Sequence, residues 1–377
     1  MKRVVLLALL VLSAAFVALW SRSEKNEQDH LIQGTIVCDY RCFASKCLTE
    51  ARPYRPVRIK AHDACYPALA YLGLKAFPLT PTGEVAMIAV MFLVLGGGLA
   101  LFLHRRTSLP VSLALAAVSL TTAFVAGPLR GNPSAWAVGL VLAFLALYDH
   151  PRRSLRSAAA VALGLAVALK LSPAVFGVVY LVSSPRTPRQ WPWADILLAA
   201  GVFALAFVIP FGWFGGFSEI GTWWQNAVAN MNYYSCYDPM WGLSELSQRF
   251  ASLRPFEEFA ICVTRALALV CVVAALFAGS FRGAMLPLGA AMLFLTHHDY
   301  GLAYMLPAFF VWLDGLEEPV RGLRALLAAV LWLVILSPLQ IPAPDGIGTL
   351  NPALENEAVL ILLALDLADV ANWRKRP

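Results

Sequence analysis

The fold class this sequence predicts is an all-α polytopic membrane protein, and three observations predict it. Hydrophobic residues make up 59% of the 377 residues and charged ones only 14%, with a positive mean hydropathy; a soluble domain built around one core does not have that balance. Apolar runs near bilayer-crossing length, about 17 to 25 residues, recur along the whole chain. The short connections carry Lys and Arg in an order that alternation across a membrane explains.

The first apolar run, 4–20, follows Met1-Lys2-Arg3. No small-x-small pattern stands before the polar turn at Ser21, so an uncleaved first helix is expected rather than a removed signal peptide. A long connection, 21–83, comes next, followed by runs at 84–103, 109–126 and 134–148. After the 157–189 stretch come runs at 196–213, 259–277, 284–295, 300–313, 323–336 and 357–372, with a second long connection at 214–258. The expectation is a single transmembrane domain, 1–377, of about 10–12 helices.

Basic residues stay cytoplasmic, and Lys2, Arg3, Arg105, Arg106, Arg152, Arg153 and Arg156 do so by simple alternation. A single crossing over 158–182 would then expel Arg186, Arg189 and the terminal Arg374-Lys375-Arg376. A broken helix pair that enters and returns around Lys170-Leu171-Ser172-Pro173 keeps them all inside. Proline supplies the break, which is tolerated at membrane depth where protein or water satisfies the freed backbone groups. Localisation in the cell membrane as a multi-pass protein follows, with both long loops on the external (periplasmic) side.

External placement suits the cysteines. Cys38, Cys42, Cys47 and Cys65 fall in the first loop and Cys236 in the second, where disulfides could staple a segment with little core of its own. A zinc site is the rival reading, although Cys-x3-Cys-x4-Cys without a close fourth ligand matches such sites weakly. Cys262 and Cys271 sit in an apolar run and read as packing residues.

No Gly-rich phosphate loop and no whole-chain repeat is present, and every internal loop is too short for a cytosolic nucleotide-binding domain. The net charge of +6 is partly spent on cytoplasmic anchors, so it does not indicate nucleic acid. Chemistry is left to the external loops and the helix ends.

Polar residues in a membrane are expensive, which makes them the next clue. Lys170, in GLAVALKLSPAVFGVVYL, reads either as a snorkelling structural lysine or, preferably, as an anion-binding one. In FLTHHDYGLAYMLPAFF, His297, His298, Asp299 and Tyr300 stand at an external helix junction. They can cap that junction, hold a metal, or donate hydrogen bonds to a phosphate. The second loop offers Arg249 as a fixed cation, with Tyr233, Tyr234 and Trp241 as sugar-stacking or interfacial aromatics. Asp366 and Asp369 share a helix face but pair more readily with the basic terminus than with a substrate. For a general base there are two external carboxylates, Asp39 in GTIVCDYRCF and Asp63 in HDACYPALAYLGLKAFP, which the residues alone do not rank.

The order of these features resembles the membrane-embedded glycosyltransferases of the GT-C class, most closely the polyprenol-phosphate-dependent mannosyltransferases of glycosyltransferase family 87. The similar segments are CDYRCF, RPYRP, CYPALAYLGLKAFP, RGNPSAWAVGLVLAFLALY, GLAVALKLSPAVFGVVYL, MWGLSELSQRF and THHDYGLAYMLPAF, in family order from about Ile36 to Leu313. The chain departs from the pattern in two places: one proline, Pro67, stands where Tyr-Pro-Pro is usual, and Arg130-Gly131-Asn132 lacks a preceding glutamine.

The resemblance implies a GT-C-like bundle. It implies Asp39 as the catalytic base and Lys170, Arg249, His297 and His298 around the donor phosphate. The substrate-binding set is then Tyr40, Asp63, Tyr66, Asn132, Tyr233, Trp241 and Tyr300. The implied partners are a polyprenyl-phosphate sugar donor, a glycolipid or glycan acceptor and membrane lipid. No cofactor is required; a divalent metal at His297, His298 and Asp299 is possible without being obligatory. Residues 62–78 would form a juxtamembrane helix, its first turn beginning near Tyr66 with Pro67 in it, and Tyr66, Leu69 and Phe77 on the face toward lipid or the helix bundle. The alternative class is a transporter or flippase for a lipid-linked or amphiphilic substrate, suggested by the broken helix with Lys170.

Overall fold

Where this chain is apolar it is helical, because only a helix satisfies every backbone group within its own segment away from water. The computed structural model describes residues 2–22, 40, 66–182, 192–237, 257–296, 299–316, 323–336 and 358–365, and contains no strand among them. Its helices are α1 (Lys2–Arg22), α2 (Ala68–Lys75), α3 (Pro81–Arg106), α4 (Val111–Val118), α5 (Thr122–Arg130), α6 (Ser134–Leu147) and α7 (Arg153–Leu169). They continue with α8 (Trp193–Val208), α9 (Glu219–Tyr237), α10 (Glu257–Phe277), α11 (Phe281–Thr296), α12 (Leu306–Gly315) and α13 (Leu323–Leu336). The all-α membrane class stands.

Among the described residues, Pro81–Arg106 and Trp193–Trp213 are long and apolar enough to cross a bilayer unaided. The other expected crossings are realised as shorter apolar helices, such as Ser134–Leu147, Phe281–Leu295 and Leu323–Leu336. The run at 109–126, expected as one helix, is divided into α4 and α5. No proline or glycine lies at the break. Instead the Ser119 hydroxyl donates to the Ala116 carbonyl at 2.8 Å and the Thr121 hydroxyl to the Val118 carbonyl at 2.8 Å, local bonds that compete with the helical ladder.

The chain forms two compact units. One comprises Met1–Glu24, Arg106–Phe124 and Tyr237–Pro377, the other Lys25–Arg105 and Val125–Cys236.

In the first unit α1 packs on α4, and α10 and α11 form a hairpin. The hairpin turns through Gly279 at φ +66°, and the Ser280 hydroxyl caps α11 by accepting from Gly283 N at 3.1 Å. Phe309, Phe310, Trp312 and Trp332 pack α12 against α13. Asp314 ties this unit together: it accepts from Ser108 N at 2.8 Å, Ser108 Oγ at 2.6 Å and Arg282 Nη2 at 2.6 Å, while its carbonyl accepts from Lys2 Nζ at 2.6 Å. Of the two cysteines assigned to packing, Cys271 is buried and Cys262 is exposed.

In the second unit the glycines set the helix register. A Cβ on Gly98 would stand 2.2 Å from the Gly139 carbonyl oxygen, and one on Gly139 would stand 2.4 Å from that of Val94, so α3 and α6 touch backbone to backbone. A Cβ on Gly164 would meet the Ala199 oxygen at 2.6 Å, and Arg156 pairs with Asp195 at 3.4 Å. Residues 156 to 164 therefore run beside 195 to 199 in the same sense, making α7 and α8 parallel.

Between parallel neighbours the chain must come back, and the 3₁₀ segment Ser172–Tyr180 is the return. Its far end, Tyr180, lies against Phe144 and Tyr148 with ring centroids 5.2 and 6.2 Å away. At about 2.0 Å per residue, its nine residues cover roughly 18 Å. The expected broken pair is thus present, turning at Lys170 and returning to the arginine end of α7.

Candidate active site

The core of the second unit converges at the end of α3, α6 and α7 that is remote from Arg152, Arg153 and Arg156, where Tyr40, Tyr66, Trp136 and Leu169 belong to one buried cluster. The pivot is the connection Gly131-Asn132-Pro133 between α5 and α6. Gly131 N donates to Pro128 O at 3.0 Å and Asn132 N to Gly127 O at 2.9 Å, the bond pair that closes a helix on a left-handed residue. Gly131 supplies that residue at φ +69°.

Asn132 then begins the next helix. Its Oδ1 accepts from Ser134 N at 2.9 Å and its carbonyl from Ala135 N at 3.0 Å, satisfying first-turn donors that would otherwise have no acceptor. The asparagine is fully buried. Its amide also meets the Tyr66 hydroxyl, which lies 3.1 Å from Oδ1 and 2.9 Å from Nδ2.

Tyr66 immediately precedes α2, which starts after Pro67 as its N-cap. Its ring packs edge-on against Tyr71 at 6.3 Å. The buried face of α2 is Ala68, Ala70, Tyr71 and Leu74, with Leu69 and Phe77 half-buried beside it. Within the anticipated 62–78 segment the described residues are helical over Ala68–Lys75, and Tyr66, Leu69 and Phe77 do lie against the cluster, with Tyr71 and Leu74 as its most buried large side chains. Close approach at Gly73, where a Cβ would stand 3.0 Å from Trp136 Cζ3, lets α2 lie on α6. Phe77 completes the contact by stacking on Trp136, centroids 6.4 Å apart.

Tyr40 is buried under this arrangement. Its hydroxyl donates to the Phe77 carbonyl at 2.7 Å, and its Cβ lies 2.5 Å from where a Gly131 Cβ would be. Burial first, and then the Glu84 charge, push its phenol above the ordinary value, so it remains a neutral donor. Asp39 lies outside the described residues.

Lys170 ends α7 in an extended conformation, φ −159° and ψ 125°, as its C-cap. Pro173 explains the position, because its nitrogen has no proton for the Leu169 carbonyl and its ring would collide with it. The half-buried lysine donates from Nζ to Ser134 Oγ at 3.1 Å. Tyr66, Asn132, Ser134 and Lys170 thus form one polar string across three elements.

Of the residues named from sequence, Tyr40, Tyr66, Asn132 and Lys170 are brought to one place. Tyr233 lies in α9 and Tyr300 in the 3₁₀ turn Asp299–Met305, which follows α11 as the expected helix junction. Asp39, Asp63, Trp241, Arg249, His297 and His298 lie outside the described residues, as do Cys38, Cys42, Cys47, Cys65, Asp366 and Asp369. Among the described residues no three His, Cys, Asp or Glu side chains gather as a metal site. Ser134 was not anticipated, because the lysine it meets is 36 positions away.

This helical membrane protein thus brings a lysine and a buried tyrosine–asparagine pair together near Tyr40. The profile of glycosyltransferase family 87 matches residues 65–338, well over half of the chain. The protein belongs to glycosyltransferase family 87 and is accordingly a glycosyltransferase, a transferase acting on a sugar donor and an acceptor. No curated protein and no solved structure matches it. Nothing observed supports the transporter alternative.

Proposed function

We propose that the protein is an inverting GT-C glycosyltransferase that moves a sugar, mannose before others, from a polyprenyl-phosphate donor to an acceptor hydroxyl at the external membrane face. The observation that carries this reading is Lys170. The ammonium is held at the turn of a broken hairpin by Ser134, beside the buried Asn132–Tyr66 pair, in a chain of family 87. Such a lysine suits a phosphate leaving group, whose charge grows as the glycosidic bond breaks.

In the proposed reaction Asp39 accepts the acceptor hydroxyl proton as that oxygen attacks the anomeric carbon. The bond from carbon to phosphate oxygen breaks from the opposite face, and the electron pair leaves with the polyprenyl phosphate. A single displacement inverts the anomeric configuration. Lys170, Arg249, His297 and His298 are assigned to the phosphate; Tyr40, Asp63, Tyr66, Asn132, Tyr233, Trp241 and Tyr300 are assigned to the substrates. A lipid monophosphate can depart with cationic side chains alone, so no divalent ion is required.

External placement rests on polarity. Lys170 and Asn132 stand at one end of α7, while Arg152, Arg153 and Arg156 stand at the other, a helix length of about 25 Å away. Purified protein in lipid, given radiolabelled polyprenyl-phosphate mannose and a pool of membrane glycolipid acceptors, tests the proposal. Label should move to an acceptor with wild type and not with Asp39→Asn. Equal transfer by the variant would remove Asp39 from its role, and transfer only from a different sugar would remove mannose.

A further inference from the structure

The arginine end of the second unit carries groups that the transferase reading does not use. The contacts of α3 with α6 at Val94, Gly98 and Gly139, with Met87 beside Gly131 further back, make these helices run in the same direction. Arg105, seven residues past Gly98, therefore reaches the level of Ala146, just before α6 gives way to the Tyr148–Arg152 turn. Helix α7 starts on that turn with Arg152 as N-cap, no side-chain cap and no acidic residue in its first turn. The positive end of its dipole thus faces more positive charge, an arrangement an anion would relieve.

The charges there are divided unevenly. Arg156 is committed to structure: it donates to the His150 and Pro151 carbonyls at 3.1 and 3.2 Å and pairs with Asp195. Arg152 and Arg153 are exposed, and neither side chain has a hydrogen bond or ion pair among the described residues. The Arg105 Nε is buried with no acceptor among the described residues, which is costly for a group able to donate a charged hydrogen bond. His150 is oriented by its own turn, Nδ1 accepting from Arg152 N at 3.0 Å. Its imidazole is held below the ordinary value first by its burial and then by the Arg105 and Arg152 charges, with Asp149 opposing.

Depth identifies the kind of anion this end would meet. Helix α3 has 26 residues, about 39 Å, against a hydrocarbon core of about 30 Å. Arg105, next to its last residue, belongs at the level of lipid phosphates. We propose that Arg105, Arg152, Arg153 and the first turn of α7 bind the phosphate headgroup of an anionic membrane phospholipid, at the end of the unit opposite Lys170.

The test uses the full-length protein in nanodiscs of phosphatidylcholine containing a graded fraction of phosphatidylglycerol, with retained lipid counted by native mass spectrometry. Arg152→Gln with Arg153→Gln should weaken phosphatidylglycerol retention by about five-fold per charge removed, the usual effect of a basic residue at an anionic surface. Arg105→Gln should do the same while Arg105→Lys restores most of it; both exposed positions leave the fold intact, so the double variant remains readable if Arg105→Gln unfolds. Unchanged retention in the double variant would overturn the proposal. Displacement of the lipid by millimolar inorganic phosphate would overturn the lipid as the ligand and assign the site to free phosphate.

Discussion

Replacing Gly131 with alanine should damage stability and catalysis together, and the size of the effect can be worked from the connection between α5 and α6. The residue sits at φ +69°, where an L side chain costs about 1–2 kcal/mol. The new Cβ would also stand 2.5 Å from Tyr40 Cβ and 2.8 Å from Met87 Cε. Met87 can yield, but Tyr40 is buried with its hydroxyl tied to the Phe77 carbonyl, so overpacking adds about 1–3 kcal/mol. The sum, roughly 2–5 kcal/mol, is a large share of a stability of about 5–15 kcal/mol. Thermal unfolding in detergent should show a clear fall in Tm, with transfer activity falling beyond what unfolding explains if Tyr40 belongs to the proposed substrate site. Gly201→Ala is the control: a Cβ there meets nothing within 4 Å, and alanine should be neutral or stabilising by up to about 1 kcal/mol. If Gly131→Ala matched Gly201→Ala, the placement of Tyr40 against this turn would be refuted.

Tyr66→Phe should cost about 1–3 kcal/mol by leaving the buried Asn132 amide short of a partner, read as a lower Tm with reduced transfer; an unchanged Tm would dissolve the pair. Ser134→Ala should raise the donor KM about five-fold with a smaller change in kcat, as expected for losing one hydrogen bond to an ammonium, and Ser134→Thr should restore it. Asp314 should make the first unit acid-sensitive. Burial pushes its carboxyl up, but the Ser108 hydrogen bonds and Arg282 hold it below the ordinary 3.8. Its contribution is therefore complete above that pH and fades as pH falls through the lower folded value. The Tm gap between wild type and Asp314→Asn should narrow from pH 6 to pH 3, and a constant gap would exclude this carboxylate as the titrating group.

What the sequence made legible, and what it hid, follows from the range of the interactions involved. The break at Lys170 could be read because it has a local cause, Pro173, and a topological one, the arginines on either side of it. The start of α6 could be read because the apolar run begins at Ser134 itself. The division of 109–126 was hidden: Ser119 and Thr121 stabilise helix or break depending on which way their hydroxyls turn, and composition does not record that. The face of α2 was only partly legible, since Gly73 faces inward to admit Trp136, a residue far along the chain. Ser134 was invisible as a site residue for the same reason, its meaning depending on a lysine that only the folded hairpin delivers.

The hairpin also bears on why a lysine stands there at all. An ammonium within an apolar helix costs about 2.5–3.5 kcal/mol at the bilayer centre, and α7 limits that cost by ending at Leu169 and placing Lys170 at its tip. Had the helix continued through residue 182, the lysine would lie near the middle of a 30-residue rod, with nothing to fix its direction. The return segment instead brings Tyr180 back to the arginine end and leaves Lys170 at the opposite pole, against the first residue of α6. The Ser134 hydroxyl accepts from it there and helps to orient the ammonium. An orienting neutral acceptor at a helix break is what a lysine needs if its charge is to answer one that appears on a substrate during reaction.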